Sequence, residues 1–183
     1  QGDNLETLRR LHGYIDPPNN SSQPPASKKL LLIEGKGPEF SSDLAELLKK
    51  RNKKIILLDL NFDQSSEESS KGLLQYLEGS IPFPVVHATP YGDKIEAGGF
   101  SAYSIESLST SLFKKLLDQL ETRYDWVIAY SRMSPLSAEA ESLAPLFSAV
   151  AVTLKEEKID ALNFYERFIQ NDETKVSFIL VRK

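Results

Sequence analysis

The feature that most constrains the fold is a strand–turn–helix–strand unit near the start of the chain. Lys29–Ile33 (KLLLI) and Lys54–Leu60 (KIILLDL) are short apolar runs, which are typical of buried strands. Between them, Glu34–Ser42 (EGKGPEFSS) carries the Gly and Ser residues of a turn, and Asp43–Lys50 (DLAELLKK) has the spacing of an amphipathic helix. The unit therefore predicts two strands connected through a helix.

The turn after the first strand occupies the position of a phosphate-binding loop. In nucleotide-binding chains this position carries GxxxxGK(S/T), whose backbone N–H groups and Lys hold phosphate and whose hydroxyl holds Mg²⁺. Here Lys36 and Gly37 are followed by Pro38 and Glu39. Pro38 removes an N–H donor, and the Glu39 carboxylate repels phosphate. We interpret Lys36, Gly37, Pro38 and Glu39 as relics of a phosphate-binding loop.

Apolar runs and amphipathic patterns alternate along the rest of the chain. They predict strands near residues 29–34, 54–60, 84–88, 125–130, 149–154 and 175–181. They predict later helices at residues 72–78, 107–123, 138–146 and 159–170. This alternation predicts an α/β fold, a three-layer α/β/α sandwich with a mainly parallel sheet.

Residues 1–27 are predicted to form an N-terminal arm that is separate from the α/β domain of residues 28–183. Residues 3–15 have leucines at helical spacing, and residues 16–27 (DPPNNSSQPPAS) form a linker rich in Pro, Ser and Asn. The linker leaves two positions open for the helix, which can dock on its own domain or on a neighbour's.

Composition and charge exclude several classes of protein. The net charge of −4 argues against a nucleic-acid partner, because phosphate neutralisation requires clustered Lys and Arg. The basic clusters are Lys49-Lys50-Arg51 and Lys53-Lys54, at a predicted helix end where cations favour the helix dipole. The absence of Cys excludes thiolate metal sites and disulfides. No run has the length of a transmembrane helix, and the opening Gln1-Gly2 suggests a domain cut from a longer protein.

Five short motifs follow one another in an order that resembles a known family. They are Glu6–His12 (ETLRRLH, similar to ExxRxxR), Ile56–Asp63 (ILLDLNFD, similar to LLIDxDxR), Gly72–Gly79 (similar to GLxxxLxG), Ser111–Ile128 (similar to FxxLLxxLxxxYDxVIID) and Leu143–Leu146 (LAPL). The chain thus resembles the BY-kinases, the cytoplasmic tyrosine-kinase domains of bacterial polysaccharide co-polymerases. These kinases are relatives of the MinD/ParA ATPases, so the resemblance implies a P-loop NTPase-like fold.

The departures from this family fall at the positions that its nucleotide site uses. The Pro38-Glu39 pair stands where the resemblance implies Lys with Ser or Thr. Asp59 is retained, but Asn61 replaces the second acid of the same motif. Tyr130 occupies the position of the Asp that organises Mg²⁺ in this family. Val181 occupies the position of an Asn near the end of the domain that lies at the edge of the adenine. We therefore expect no catalytic residue, no cofactor and no metal.

The resemblance with these departures implies a catalytically silent regulatory or scaffold domain of a polysaccharide chain-length determinant. It would lie on the cytoplasmic side of the bacterial inner membrane, attached through transmembrane segments outside this sequence. Its expected partners are its own copies or a catalytic kinase paralogue, and no nucleic acid. The resemblance assigns the interface to Glu6, Arg9, Arg10 and His12, and with a neutral His12 we expect a monomer or a weak oligomer.

Two alternatives stay open. The first is a diverged but active ATPase or tyrosine kinase that uses Lys36, Asp59 and Asp63. The second is a MinD/ParA-like partner adaptor with no connection to polysaccharide. Nucleotide binding with Mg²⁺ distinguishes the first alternative from a silent domain.

Overall fold

A seven-stranded sheet runs through the part of the chain that the computed structural model describes, residues 2–15, 28–34, 40–63, 71–135, 137–155 and 175–181. The strands are β1 (Lys28–Ile33), β2 (Ile55–Asp59), β3 (His87–Thr89), β4 (Gly92–Ile95), β5 (Trp126–Ser131), β6 (Ala149–Lys155) and β7 (Lys175–Val181). The helices are α1 (Gly2–Ile15), α2 (Ser41–Lys50), α3 (Leu73–Leu77), α4 (Ser104–Leu108), α5 (Ser111–Glu121) and α6 (Ala138–Leu143), the last followed by a 3₁₀ turn (Ala144–Leu146).

The strand order across the sheet is β3-β4-β2-β5-β1-β6-β7. All neighbouring strands pair in parallel except β3, which is antiparallel to β4 at one edge. The central strands are apolar over most of their length, with polar residues at their ends, because helices cover both faces of a parallel sheet. The predicted strands near 29–34, 54–60, 125–130, 149–154 and 175–181 and the mainly parallel α/β/α sandwich are confirmed.

Two hydrophobic cores lie on the two faces of the sheet. One face packs against α3, α5 and α6, with side chains such as Phe113 and Leu116 from α5. The other face packs against α1 and α2, with Leu8 from α1 and Leu44 from α2 among its buried side chains. The N-terminal helix therefore docks on its own domain, one of the two positions that the sequence left open.

The predicted strand at residues 84–88 is wrong in its bounds, and a neighbouring strand was missed. Val85 and Val86 are exposed rather than buried in the sheet, and the chain pairs at β3 and β4 instead. β4 pairs in parallel with β2, but Ile95 is the one buried residue of β4. A strand with so little apolar sequence gives no periodic signal.

Two predicted helices are interrupted. The helix expected over 107–123 is two helices, α4 and α5, and the helix expected over 138–146 ends in a 3₁₀ turn that contains Pro145. The helix predicted at 159–170 and most of the loop after β2 lie outside the described residues. No helix among the described residues has the length and apolar character needed to cross a membrane.

Candidate functional site

The ends of three adjacent strands bring polar groups together at the carboxyl edge of the sheet. Glu34 follows β1, Asp59 ends β2, and Tyr130 lies near the end of β5, which separates the other two strands. Asp59 is directly opposite Tyr130 in the parallel register. Ligands of open α/β sheets bind at this edge, so these residues define the candidate site.

Glu34 is a buried carboxylate that caps α2 from the preceding strand. Its side chain is 1% exposed, and its Oε1 accepts hydrogen bonds from the N–H groups of Phe40 at 2.8 Å and Ser41 at 2.9 Å. These two amides lie at the start of α2, and Phe40, the N-cap residue that precedes the helix, has no side chain able to cap it. A carboxylate here supplies acceptors to free N–H groups and compensates the positive end of the helix dipole.

Sequence reasoning placed Glu34 in the turn and did not identify it as a site residue. The available signal was an acidic side chain directly after a buried strand and a few residues before a helix. The structure begins α2 at Ser41, which makes Phe40, a residue without a capping side chain, the N-cap. Only the tertiary structure shows that the carboxylate turns back onto the helix.

A second group of hydrogen bonds joins the loops after β2 and β5. Asp59 Oδ1 accepts from the Asn61 N–H at 2.9 Å, and Asn61 Oδ1 accepts from the Arg132 N–H at 2.8 Å. Burial raises the pKa of Asp59, although the hydrogen bonds from Asn61 and the charge of Lys94 act in the opposite direction. Asp59 thus forms a local turn cap, with its carboxylate in a poorly hydrated position.

Tyr130 stays protonated at this edge. Burial raises the pKa of Tyr130 far above its usual range, and the negative charges of Asp59 and Glu96 raise it further. The phenol therefore keeps its proton beside the Asp59 carboxylate.

The other predicted nucleotide-site positions cannot be placed beside this group. Lys36, Gly37, Pro38 and Glu39 lie outside the described residues. Val181 ends β7, and its side chain is outside the described part. Within the described ranges, no three His, Asp or Glu side chains are grouped so as to hold a metal ion.

The predicted interface residues lie on α1 in two different environments. Glu6, Arg9 and Arg10 are exposed, and Glu6 pairs with Arg10 one turn later, at 3.3 Å between Oε1 and Nε. His12 is only 7% exposed, because it is buried against other parts of the same chain. The structure thus separates an exposed charged face of α1 from a buried His12.

His12 connects α1 to the sheet and to the end of α2. Its ring stacks on Trp126 with centroids 5.9 Å apart, and its Nδ1 lies 2.7 Å from Arg51 Nη1. A guanidinium only donates, so Nδ1 is the acceptor and the ring is the neutral tautomer protonated at Nε2.

The chain is similar to bacterial tyrosine kinases in sequence and in fold. The tyrosine-protein kinase ptk of Acinetobacter johnsonii is 28% identical over 138 residues, which cover 68% of this chain and 18% of the kinase. The kinase domain of the Escherichia coli tyrosine kinase ETK superposes with a TM-score of 0.77 at 17% identity, covering 98% of this chain and 76% of that one. No protein-family model matches the chain.

The cell division ATPase MinD of Pyrococcus furiosus extends the likeness to P-loop ATPases, with a TM-score of 0.64 at 12% identity over 82% of this chain and 69% of that chain. The resemblance to bacterial tyrosine kinases and to the P-loop NTPase-like fold is thereby confirmed. The chain spans 18% of the length of the curated kinase that it matches.

Replacing Glu34 should destabilise the protein through the start of α2. We expect Glu34→Ala to lower the free energy of unfolding by about 2–3 kcal/mol, because two buried N–H groups lose a charged acceptor. Glu34→Gln keeps an acceptor oxygen and should cost less. The control Glu46→Ala removes an exposed carboxylate of the same helix that pairs with Lys50, and should change stability by less than about 1 kcal/mol. Urea unfolding measures all three, and equal losses for Glu34→Ala and Glu46→Ala would contradict the cap.

Asp59 should make the folded protein less stable as the pH rises, which is the opposite of the usual effect of an Asp. Because the pKa of Asp59 is raised above 3.8 in the folded protein, the folded state binds its proton more readily than the unfolded chain. The ionised carboxylate therefore costs stability, and this cost appears as the pH rises through the folded pKa. We expect Asp59→Asn to be more stable than the wild type at neutral pH, with the difference disappearing below pH 3.8. Unfolding curves across this range test it, and a loss in Asp59→Asn that grows with pH would contradict it.

Proposed function

We propose that this chain is a catalytically silent regulatory or scaffold domain of a bacterial polysaccharide chain-length determinant. It acts on the cytoplasmic side of the inner membrane by self-association or by pairing with a catalytic tyrosine kinase. The observation that carries the proposal is the Glu34 carboxylate bound to the amides that open α2.

The position of Glu34 is incompatible with the usual use of this helix. In P-loop proteins, the N–H groups at the start of the helix that follows the first strand bind the nucleotide phosphates. Here the amides of Phe40 and Ser41 already bind a carboxylate of the chain itself. A phosphate at the same amides would displace Glu34 or lie against its negative charge. The described residues therefore do not fit a nucleotide phosphate.

The strand ends also do not fit the Mg²⁺ ion that phosphoryl transfer requires. Magnesium binds hard oxygen ligands, with one or two carboxylates beside the phosphates. The residue that stands for one of these acids is Tyr130, which keeps its proton and therefore offers Mg²⁺ no anionic oxygen. The Asp59 carboxylate is engaged by the Asn61 amide. Both arguments support a domain that does not transfer phosphate.

The likeness to tyrosine kinases supports the second half of the proposal, a role beside a kinase. Surfaces used for assembly do not require an intact nucleotide site, so a scaffold can retain the fold after the site has changed. The exposed charges of α1 remain available for assembly, since Glu6, Arg9 and Arg10 lie on the solvent side of the helix.

Nucleotide binding is the direct test of a silent domain. We expect calorimetry with ATP and Mg²⁺ to detect no binding by this chain up to about millimolar concentration, under conditions where the ETK kinase domain binds. Rebuilding the loop with Pro38→Lys and Glu39→Ser should not restore phosphorylation of tyrosine, because Tyr130 supplies no carboxylate. Micromolar ATP binding that disappears in Lys36→Ala would overturn the proposal in favour of a working enzyme.

Sedimentation tests the assembly role. We expect the chain alone to be a monomer or a weak oligomer at about micromolar concentration, and to associate with a catalytic kinase domain. Glu6→Ala combined with Arg9→Ala should abolish that association, because these charges form the exposed face of α1. The control pair Lys114→Ala and Lys115→Ala removes two exposed charges from α5 and should leave it intact. A tight oligomer that is insensitive to the changes in α1 would assign the interface to another surface.

A further inference from the structure

A basic cleft lies at the amino edge of the sheet, opposite the edge that holds Glu34 and Asp59. It has a volume of about 400 Å³ and forms where the end of α2, the start of β2, the β3–β4 hairpin and the turn before β5 meet. Cavities of this size hold small-molecule ligands. Its cations are Lys49, Lys53, Lys54 and Arg123.

The backbone brings these cations together from three segments. Asn52, with φ of +59°, ends α2 in a left-handed turn, and the Lys53 N–H bonds back to the Leu48 carbonyl at 3.1 Å. The Lys54 N–H donates to Asp125 Oδ2 at 2.7 Å, and the Lys54 carbonyl accepts from the Asp125 N–H at 2.9 Å. The lysines are thus held beside the turn that carries Arg123.

The β3–β4 hairpin forms the opposite wall of the cleft and lies close against β2. Gly92 has φ of +143°, and a Cβ on it would lie 2.8 Å from the Ile55 carbonyl oxygen, so the hairpin touches β2 where a side chain cannot fit. Lys49 Nζ donates to the Pro90 carbonyl at 2.6 Å and ties the helix end to the same hairpin. The cleft is therefore formed by four structural elements that these contacts hold together.

The cleft is positively charged although the whole chain has a net charge of −4. Within the described ranges, none of its four cations forms an ion pair with an Asp or Glu side chain. Asp93 is its one lining carboxylate, and it accepts the Tyr124 hydroxyl at 2.6 Å. Burial raises the pKa of Tyr124 to about 12, and the hydrogen bond to Asp93 adds to the effect, so Tyr124 keeps its proton.

We propose that the cleft binds a small ligand through a phosphate group. Lysine and arginine offer only donors and positive charge, and four of them against the single carboxylate of Asp93 leave an excess of positive charge that favours an acceptor with more than one negative charge. The rings of Tyr91 and Tyr124 line the same cavity and provide apolar surface for the organic part of the ligand. The phosphate belongs either to a free small molecule or to a phospholipid headgroup.

The test uses the full chain and two probes. Calorimetry measures binding of inorganic pyrophosphate, and sedimentation measures retention on phosphatidylcholine vesicles with and without phosphatidic acid. Lys53→Gln combined with Arg123→Gln removes two charges from the cleft. The control Lys50→Gln combined with Lys114→Gln removes two charges elsewhere, including one that pairs with Glu46. Thermal melting verifies that each variant is folded, and Lys54→Gln serves as a second cleft variant.

We expect binding that the cleft pair weakens about tenfold and the control pair changes by less than about twofold. If pyrophosphate binds and the cleft pair weakens its binding, the ligand is a free phosphate compound. If the chain is retained only on vesicles with phosphatidic acid, and the cleft pair weakens that retention, the ligand is a phospholipid headgroup. Both results support the site. No binding of either probe, or equal weakening by the two pairs, overturns it. Binding of a phosphotyrosine peptide when neither probe binds also overturns it, in favour of a protein partner.

Discussion

The structure depends on the burial of the central strands on both faces. β1 and β5 lie between two layers of helices, so Leu30–Ile33 of β1 and Trp126–Ala129 of β5 are apolar and buried. Polar chemistry is thereby confined to the ends of the strands. A strand of five residues such as β2 separates the two ends by about 16 Å. The molecule consequently has two polar edges that are built independently, one from residues that follow the strands and one from residues that precede them.

The carboxyl edge is organised around negative charge and protons that the chain itself supplies. Glu34 accepts hydrogen bonds from two amides at the positive end of the α2 dipole, whereas Asp59 accepts one from the Asn61 amide. Glu34 thus acts as a structural cap, and for Asp59 the effect of burial exceeds that of the hydrogen bonds from Asn61, so its pKa is raised. A third acid, Glu96, lies near Asp59 and Tyr130, and it pairs with Lys94 at 2.9 Å. An anionic ligand at the start of α2 would lie against the Glu34 carboxylate.

The parts of this molecule that could be predicted from sequence are those governed by local apolar patterns. The runs that form β1, β2 and β5 are continuous because both faces are buried, and they were recognisable for that reason. β4 was missed because its pairing is set by the β2 backbone and by the close approach of Gly92, which a hydrophobic pattern does not encode. The role of Glu34 was missed for a related reason, since its partners are backbone amides fixed by the packing of α2.

Helix α2 connects the two edges and accounts for part of the charge at each. Its positive end is compensated by Glu34, and its negative end favours cations in the last turn such as Lys49. The dipole acts only over that last turn, so it does not explain Lys54, which precedes β2, or Arg123, which precedes β5. Those charges come from separate segments and lie around the same cavity without a carboxylate partner in the described ranges. Like charges brought together by tertiary structure repel one another, and an anion bound in this cavity would reduce that repulsion.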